Sequence, residues 1–290
     1  MCWKKRPKRS ALTIIACAVV YVGAVNLLAL YSMVKSYNSP VSWVQRFGHL
    51  YIGKPDTNNW TCKGLRYSTI PLPLTALVSF PGSGNTWLRH VIQQATGVAT
   101  GSVYSDVGLK RDGFPGEGQT NASVIVIKTH SLGPDERARY VRAILLIRDP
   151  FDALLSEFNR RHGGHKGYAG RVHFQKNWYD YIFGTAGDWY DLYHDWLTFD
   201  GPLHVVMYKD LRENPSVELD RLMKFLGVSL SHKEKFCVMN NYEGNYRRGG
   251  KSASVSDRYT DYMVYMINNY KRKLSTELGH YLNKSNIRIS

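Results

Sequence analysis

One stretch constrains this chain more than any other: Leu77-Val78-Ser79-Phe80-Pro81-Gly82-Ser83-Gly84-Asn85-Thr86-Trp87-Leu88. The apolar run Thr75 to Phe80 reads as a buried strand, and Trp87 to Gln94 reads as a helix. Between them lies a turn of small residues. A strand, a small-residue turn and a helix start together aim unbonded backbone N–H groups at an anion. Gly82 and Gly84 allow positive φ and close backbone approach. Ser83, Asn85 and Thr86 add side-chain donors, so the expected ligand is a phosphate; an ordinary strand-to-helix turn is the plain alternative.

The nucleotide-triphosphatase version of such a loop is absent. No Gly-x-x-x-x-Gly-Lys-Ser/Thr occurs, and no Lys lies between Lys63 and Lys110. The Lys that would reach the β- and γ-phosphates and the hydroxyl placed for Mg²⁺ are both missing.

The 290 residues suit one large or two small domains, and the formal charge is +15. Lys4, Lys5, Arg6, Lys8 and Arg9 supply five of those charges, which leaves +10 on the rest. A basic domain suits phosphate- or sulfate-bearing ligands, acidic glycans or nucleic acid. No nucleic-acid-binding signature accompanies the charge, so nucleic acid is not expected as a partner.

Residues 1–10 read as a basic cytoplasmic tail, and 11–34 as a transmembrane signal-anchor of 24 residues without a charge. At about 1.5 Å per residue such a run crosses a bilayer. The positive flank stays in the cytosol, which makes a single-pass type II membrane protein with the remainder lumenal. A cleaved signal peptide is the rival, but its apolar core is usually shorter. Residues 35–71 read as a lumenal stem and 72–290 as the catalytic domain. Sequons at Asn59, Asn121 and Asn283 all follow the span and are candidate glycan sites. Cys62 and Cys237 alone would meet an oxidising lumen; they either pair or stay as two buried thiols.

From Thr75 onward, apolar strand-like runs alternate with helical patterns. Ser123 to Ile127 and Ala143 to Ile147 read as buried strands, and His204 to Tyr208 as another. Asp149 and Pro150 start a helix that stops at Gly163-Gly164. Phe174 to Phe183 and Trp189 to Leu197 read as two helices, Ser216 to Leu226 as a helix closed by Gly227, and a last helix ends near Gly279. The expected fold is therefore α/β, a parallel sheet flanked by helices. Ligands bind beyond the C-terminal strand ends of such sheets. There lie Pro81 to Thr86, Lys128 to His130, and Arg148.

With these motifs the chain resembles the sulfotransferases that use 3′-phosphoadenosine 5′-phosphosulfate (PAPS). Phe80 to Leu88 is similar to the loop that cradles the 5′-phosphosulfate. Arg148, followed eight residues on by Ser156, has the spacing of the 3′-phosphate pair. Lys128-Thr129-His130 matches the family's Lys-Thr-His. Tyr208 to Pro215 looks like its Tyr-Glu-Asp segment, and Tyr246-Arg247-Arg248-Gly249 like its late cofactor loop. The membrane anchor and the FPGSGNTWLRH and RDPFDALLSEFNR wording resemble the WSC-domain-containing (WSCD) sulfotransferase-like family. Four cysteines are too few for the Cys-rich WSC modules of some members.

The resemblance implies a P-loop-like sulfotransferase fold and a Golgi enzyme moving a sulfuryl group from PAPS to a glycan hydroxyl, with sialylated glycans as a candidate acceptor. His130 would be the base, with a near-neutral pKa suited to proton abstraction. Lys128 would bind the sulfuryl or bridging oxygen. Gly82, Ser83, Gly84, Asn85 and Thr86 would hold the 5′-phosphate, and Trp87 would lie against the adenine. Arg148 and Ser156 would take the 3′-phosphate, with Tyr208 nearby and Arg247, Arg248 and Gly249 closing over it. No metal is expected. Trp178, Tyr179, Tyr181, Trp189 and Tyr190 either line a sugar cleft or belong to the core. Residues 163–170 read as a mobile loop on the acceptor side.

One departure matters. Many of these enzymes carry Lys or Arg at the position of Gly82, where it stabilises the leaving phosphate. Lys128 would have to compensate, or Arg89 reach in from the helix. Otherwise the chain is a catalytically weak or inactive member that binds nucleotide or acidic glycan.

Overall fold

The computed structural model describes residues 62–245 and 258–284. The 11–34 span, Asn59, and Arg247 to Gly249 lie outside them. Among the described residues, no helix is long and apolar enough to cross a membrane.

Five parallel strands form the sheet: β1 (Thr75–Val78), β2 (Gly101–Ser102), β3 (Ile127–Thr129), β4 (Arg142–Ile147) and β5 (Leu203–Met207), in the order β2-β3-β1-β4-β5. The register pairs Val78 with both Thr129 and Leu145, and Leu145 with Val205. The chain therefore leaves β1, β3, β4 and β5 on one edge of the sheet. This is where the three polar clusters of the sequence collect, with Tyr208 following β5.

Continuous apolar strands arise because both faces are covered. On one face Ala76, Val78, Leu145 and Ile147 pack under α4 (Pro150–Gly163), α5 (Arg171–Leu197) and α9 (Asp261–Lys284). On the other, Leu77, Ile144, Leu146 and Val206 meet α1 (Asn85–Thr96), α6 (Tyr208–Glu213), α7 (Pro215–Leu226) and α8 (His232–Asn240). Two short helices, α2 (Val107–Arg111) and α3 (Pro134–Arg137), sit in the loops around β3. Asp149 caps α4 by accepting from Phe151 N at 3.0 Å, and Lys271 of α9 holds the same carboxylate at 2.5 Å.

Three elements depart from the sequence expectation. The two helices expected across 174–197 are one 27-residue helix, α5. Buried Trp178, Ile182, Ala186, Trp189, Tyr193 and Trp196 form one unbroken stripe at helical spacing. That packing outweighs the cost of Gly184 and Gly187, about 1 kcal/mol each. The strand expected at 123–127 joins β1 only from Ile127. Before that, Ile125 N donates to Ala99 O and Val126 O accepts from Gly101 N, so the segment is paired to the approach to β2.

The stem boundary also moves. Cys62 is disulfide-bonded to Cys237 on α8, with Cα atoms 5.8 Å apart. Arg66 bridges to Val98, and Ser68 N donates to Ser123 O at 2.7 Å. Residues 62–71 are thus tied into the domain rather than forming the end of a stem.

Candidate active site

A cavity of about 740 Å³ opens at the C-terminal strand edge. Its lining joins the β1 loop (Gly82, Gly84, Thr86 and Trp87), β3 (Lys128 and His130), α4 with the residue before it (Arg148 and Ser156) and Tyr208 of α6.

The β1 loop is built from its glycines. Gly82 has φ +82°, and a Cβ there would lie 2.6 Å from Ala153 O and 2.7 Å from Glu157 N. Gly84 has φ +95°, and a Cβ there would lie 2.7 Å from the Tyr208 ring. The loop is therefore pressed against α4 on one side and Tyr208 on the other. Gly84 precedes α1, whose first turn has no side-chain cap. The positive end of that helix dipole opens into the cavity.

Two of the three expected side-chain donors are used inside the protein. Ser83 is fully buried, and its Oγ lies 3.3 Å from the Tyr193 hydroxyl. Asn85 donates Nδ2 to Leu77 O (3.2 Å) and Ser79 Oγ (3.1 Å), closing the end of β1. Both hydroxyl and amide stiffen the loop, so an anion is left to backbone N–H groups and Thr86. Trp87 donates Nε1 to Tyr242 O at 2.7 Å and stands edge-on to Tyr208 and Tyr242, which fixes its ring at the cavity wall.

Arg148 is clamped. Its Nη1 donates to Gly82 O at 2.9 Å and its guanidinium lies 4.4 Å from the Tyr208 ring centroid. Its Nε is buried and has no partner among the described residues. Such a cation asks for an anionic ligand. Ser156 lines the same cavity, two turns into α4.

His130 and Lys128 stand at the end of β3. The His130 Nδ1 lies 2.6 Å from Ser79 O. A carbonyl only accepts, so Nδ1 carries the proton and Nε2 keeps its lone pair. Tyr104 stacks on the imidazole at 5.5 Å, accepts from His130 N, and lies 5.4 Å from Lys128 Nζ. Burial, then the Lys128 ammonium, pushes His130 down to about 3, well below the near-neutral value expected from sequence. Burial, then Arg89, lowers Lys128 to about 8.

Two open alternatives resolve. Arg89 does not reach the loop: fully buried, it pairs with Glu117, donates to Thr100 Oγ1 at 2.9 Å and packs on Phe114. For the aromatics of α5 the core alternative holds at both tryptophans. Trp178 and Trp189 are core residues, Tyr181 bonds to Leu154 O, and Tyr190 bonds to Glu277. None of these lines the cavity, and neither does the exposed Tyr179. Tyr104 and Tyr168 do, with Asp106, Asp112, Arg160, Arg161, His165 and Lys166 around them. The signal for this second end was the sequence 160–168, whose charges and glycines stand one turn past Ser156. Among the described residues, no group of three or more His, Cys, Asp or Glu is arranged to hold a metal ion.

Asn121 is exposed, and its Oδ1 accepts from Ser123 N (3.0 Å) and Ser123 Oγ (2.6 Å). Asn283 is exposed near the end of α9.

A parallel sheet with an uncapped anion loop after β1, a Lys–His pair after β3 and an Arg after β4 is the arrangement of a sulfotransferase domain. The family profile of that name, Sulfotransferase domain, matches residues 115–270. A WSCD family member of Aedes aegypti is 35% identical over 91% of this chain and 94% of its own length. Another, from Drosophila melanogaster, is 40% identical over 71% of this chain and 66% of its own length. Among solved structures, mouse sulfotransferase SULT7A1 complexed with PAP is similar in fold, with a TM-score of 0.50 at 16% identity over 70% of this chain and 84% of that one. The chain belongs to the WSCD family of sulfotransferase-domain proteins.

Proposed function

We propose that this protein transfers a sulfuryl group from PAPS to a glycan hydroxyl, as a type II membrane protein with its catalytic domain in the Golgi lumen and sialylated glycans as the acceptor class. The observation that carries the reaction is the His130–Ser79 bond. It leaves Nε2 free of its proton, beside Lys128 and at the foot of an anion loop. The choice of donor is supported by likeness: mouse sulfotransferase SULT7A1, similar in fold, is complexed with PAP. The cavity's own features suit such a nucleotide. They are the uncapped start of α1, the clamped and incompletely bonded Arg148, and the edge-on aromatics Trp87 and Tyr208.

Each residue then has a role in this reading. His130 Nε2 accepts the proton of the acceptor hydroxyl. Lys128 meets the oxygens of the moving group, where a fixed charge is worth far more than in water. The N–H groups from Gly84 into α1 hold the 5′-phosphate, and Arg148 with Ser156 takes the 3′-phosphate. Donor and acceptor held in line supply the rest of the acceleration. Arg247, Arg248 and Gly249 complete the nucleotide site in this proposal. Glycans at Asn59, Asn121 and Asn283, and the anchor at 11–34, go with the lumenal placement.

One observation favours a second reading. Position 82 cannot carry the cation that many relatives place there, because α4 fills the space. A protein that binds nucleotide or acidic glycan without turnover fits that feature. Calorimetry with PAP and with ATP, followed by a turnover assay, separates the two. PAP binding with transfer supports the enzyme. PAP binding without transfer to any sialylated or desialylated acceptor supports the binding protein. ATP bound in preference to PAP contradicts the sulfuryl-transfer reading.

A further inference from the structure

The sulfuryl-transfer reading leaves a deficit of charge at the reacting end, and α4 holds a residue that fills it. The loop has no cation and cannot accept one at Gly82. Arg89 is consumed by Glu117 and Thr100. Arg148 is clamped to Gly82 O and Tyr208. Lys166 is paired with Asp112 at 3.1 Å.

Arg160 stands one turn beyond Ser156 on the same face of α4, and both line the cavity with Lys128 and His130. Glu157 grips it from one side, Nε to Oε2 at 2.6 Å and Nη2 to Oε1 at 2.7 Å. That side-on grip leaves the two N–H bonds of Nη1 with no partner among the described residues. Glu157 is 1% exposed and also holds Arg161 at 2.9 Å, so one carboxylate serves two guanidinium groups. The cluster keeps a formal charge of about +1, by simple count of ionised groups. The Glu157 backbone N lies 2.7 Å from where a Cβ on Gly82 would sit, so the helix turn that bars a side chain from the loop also carries the carboxylate that holds Arg160.

We propose that Arg160 is a catalytic cation of sulfuryl transfer, supplying from α4 the positive charge that the loop cannot carry at position 82. It does so together with Lys128. In the step, the acceptor oxygen forms a bond to sulfur while the bond from sulfur to the bridging phosphate oxygen breaks. The electron pair of that bond stays on the phosphate, and the acceptor's proton goes to His130 Nε2. Arg160 Nη1 donates to the sulfuryl and bridging oxygens as charge gathers there. A fork held by a carboxylate is preorganised for this in a way a free lysine is not. Its charge already reaches the site. After burial and the larger effects of Lys128 on His130 and of Arg89 on Lys128, Arg160 is among the groups that lower proton affinity at both.

The test is steady-state transfer by the full-length protein, from PAPS labelled in the sulfuryl group to a sialylated glycoprotein, with PAP binding measured by calorimetry. Wild type is compared with Arg160→Gln, Arg160→Lys and His130→Ala. The expected result is a kcat lowered on the order of 100-fold in Arg160→Gln, the usual cost of one positioned charge donor. PAP affinity should fall far less than kcat, because the sulfuryl oxygens are absent from PAP and only the former bridging oxygen is left for Arg160 to meet. Arg160→Lys should keep more turnover than Arg160→Gln. A kcat within about threefold of wild type in Arg160→Gln overturns the proposal. So does a PAP affinity that falls in step with kcat, which marks a nucleotide anchor instead. Arg160→Met keeps the apolar stem and is read the same way if the Gln variant melts early. If wild type transfers nothing, the sulfuryl-transfer reading fails and this proposal with it. If wild type transfers, His130→Ala does not, and Arg160→Gln is unimpaired, only the role of Arg160 is lost.

Discussion

Arg148 Nη1 donates to the carbonyl oxygen of Gly82 at 2.9 Å, fastening the residue after β4 to the loop after β1. One side chain thus shapes the anion loop and, in the proposed function, binds the 3′-phosphate of the same nucleotide. Arg148→Ala should lower PAP affinity by roughly 10- to 100-fold, the scale of one or two charged hydrogen bonds. Calorimetry checks it, and an unchanged Kd would place the nucleotide elsewhere.

Gly82 is needed as glycine. An alanine there combines positive φ with a Cβ 2.6 Å from Ala153 O and 2.7 Å from Glu157 N, both backbone atoms. Gly82→Ala should cost about 1–3 kcal/mol of stability and weaken PAP binding by distorting the loop. Gly82→Lys should not raise turnover, because α4 leaves no room for the side chain. A stable and more active Gly82→Lys protein would show that the loop does not sit against α4.

The pH profile follows from two groups, the buried Lys128 and the half-buried His130. Burial first, then Lys128, moves His130 from 6.5 to about 3. Its folded pKa lies below its unfolded one, so the stability it contributes is present above pH 6.5 and lost as pH falls towards about 3. The base therefore stays neutral at mildly acidic pH. Lys128, lowered from 10.5 to about 8 by burial and then Arg89, loses its charge above that pH. Transfer should hold through pH 6.5 and fall above pH about 8, and Lys128→Arg should push the alkaline limb upward. An acid limb centred near 6.5 would contradict the lowered pKa of His130.

The Cys62–Cys237 bond closes a separation of 175 residues and fixes residues 62–71 to α8. In the chain-entropy model a loop of that length contributes roughly 5 kcal/mol, and losing a native disulfide typically costs 2–5 kcal/mol. Cys237→Ser should lower Tm accordingly and raise the free-thiol count of the denatured protein by one. Equal free-thiol counts in native and reduced wild type would remove the bond.

Much of the site was legible because its parts sit at strand ends. Apolar runs entering Gly82, Lys128 and Arg148 announce a parallel sheet whose C-terminal edge carries polar clusters. The order of the strands was not legible, because it depends on pairings such as Val78 with Thr129. Nor was the direction of short polar side chains. Ser83 and Asn85 look like ligand donors in a Gly-rich turn, yet Tyr193 and Ser79 absorb them. On sequence alone Trp178 and Trp189 fit either a sugar cleft or the core, and their place on the buried stripe of α5 makes them core. Arg89 and Arg160 are both helix arginines in the sequence. Glu117 buries the first, while Glu157 holds the second at the cavity, and neither partner is marked by the pattern.

The most direct measurement is sulfate transfer by the full-length protein, from labelled PAPS to sialylated and desialylated glycoprotein, with His130→Ala and His130→Gln alongside. Wild type should transfer sulfate and prefer the sialylated acceptor, and both variants should lose at least about 100-fold with PAP binding intact. Transfer that survives both His130 substitutions, or a wild type that binds PAP and transfers nothing to either acceptor, would contradict the proposed function.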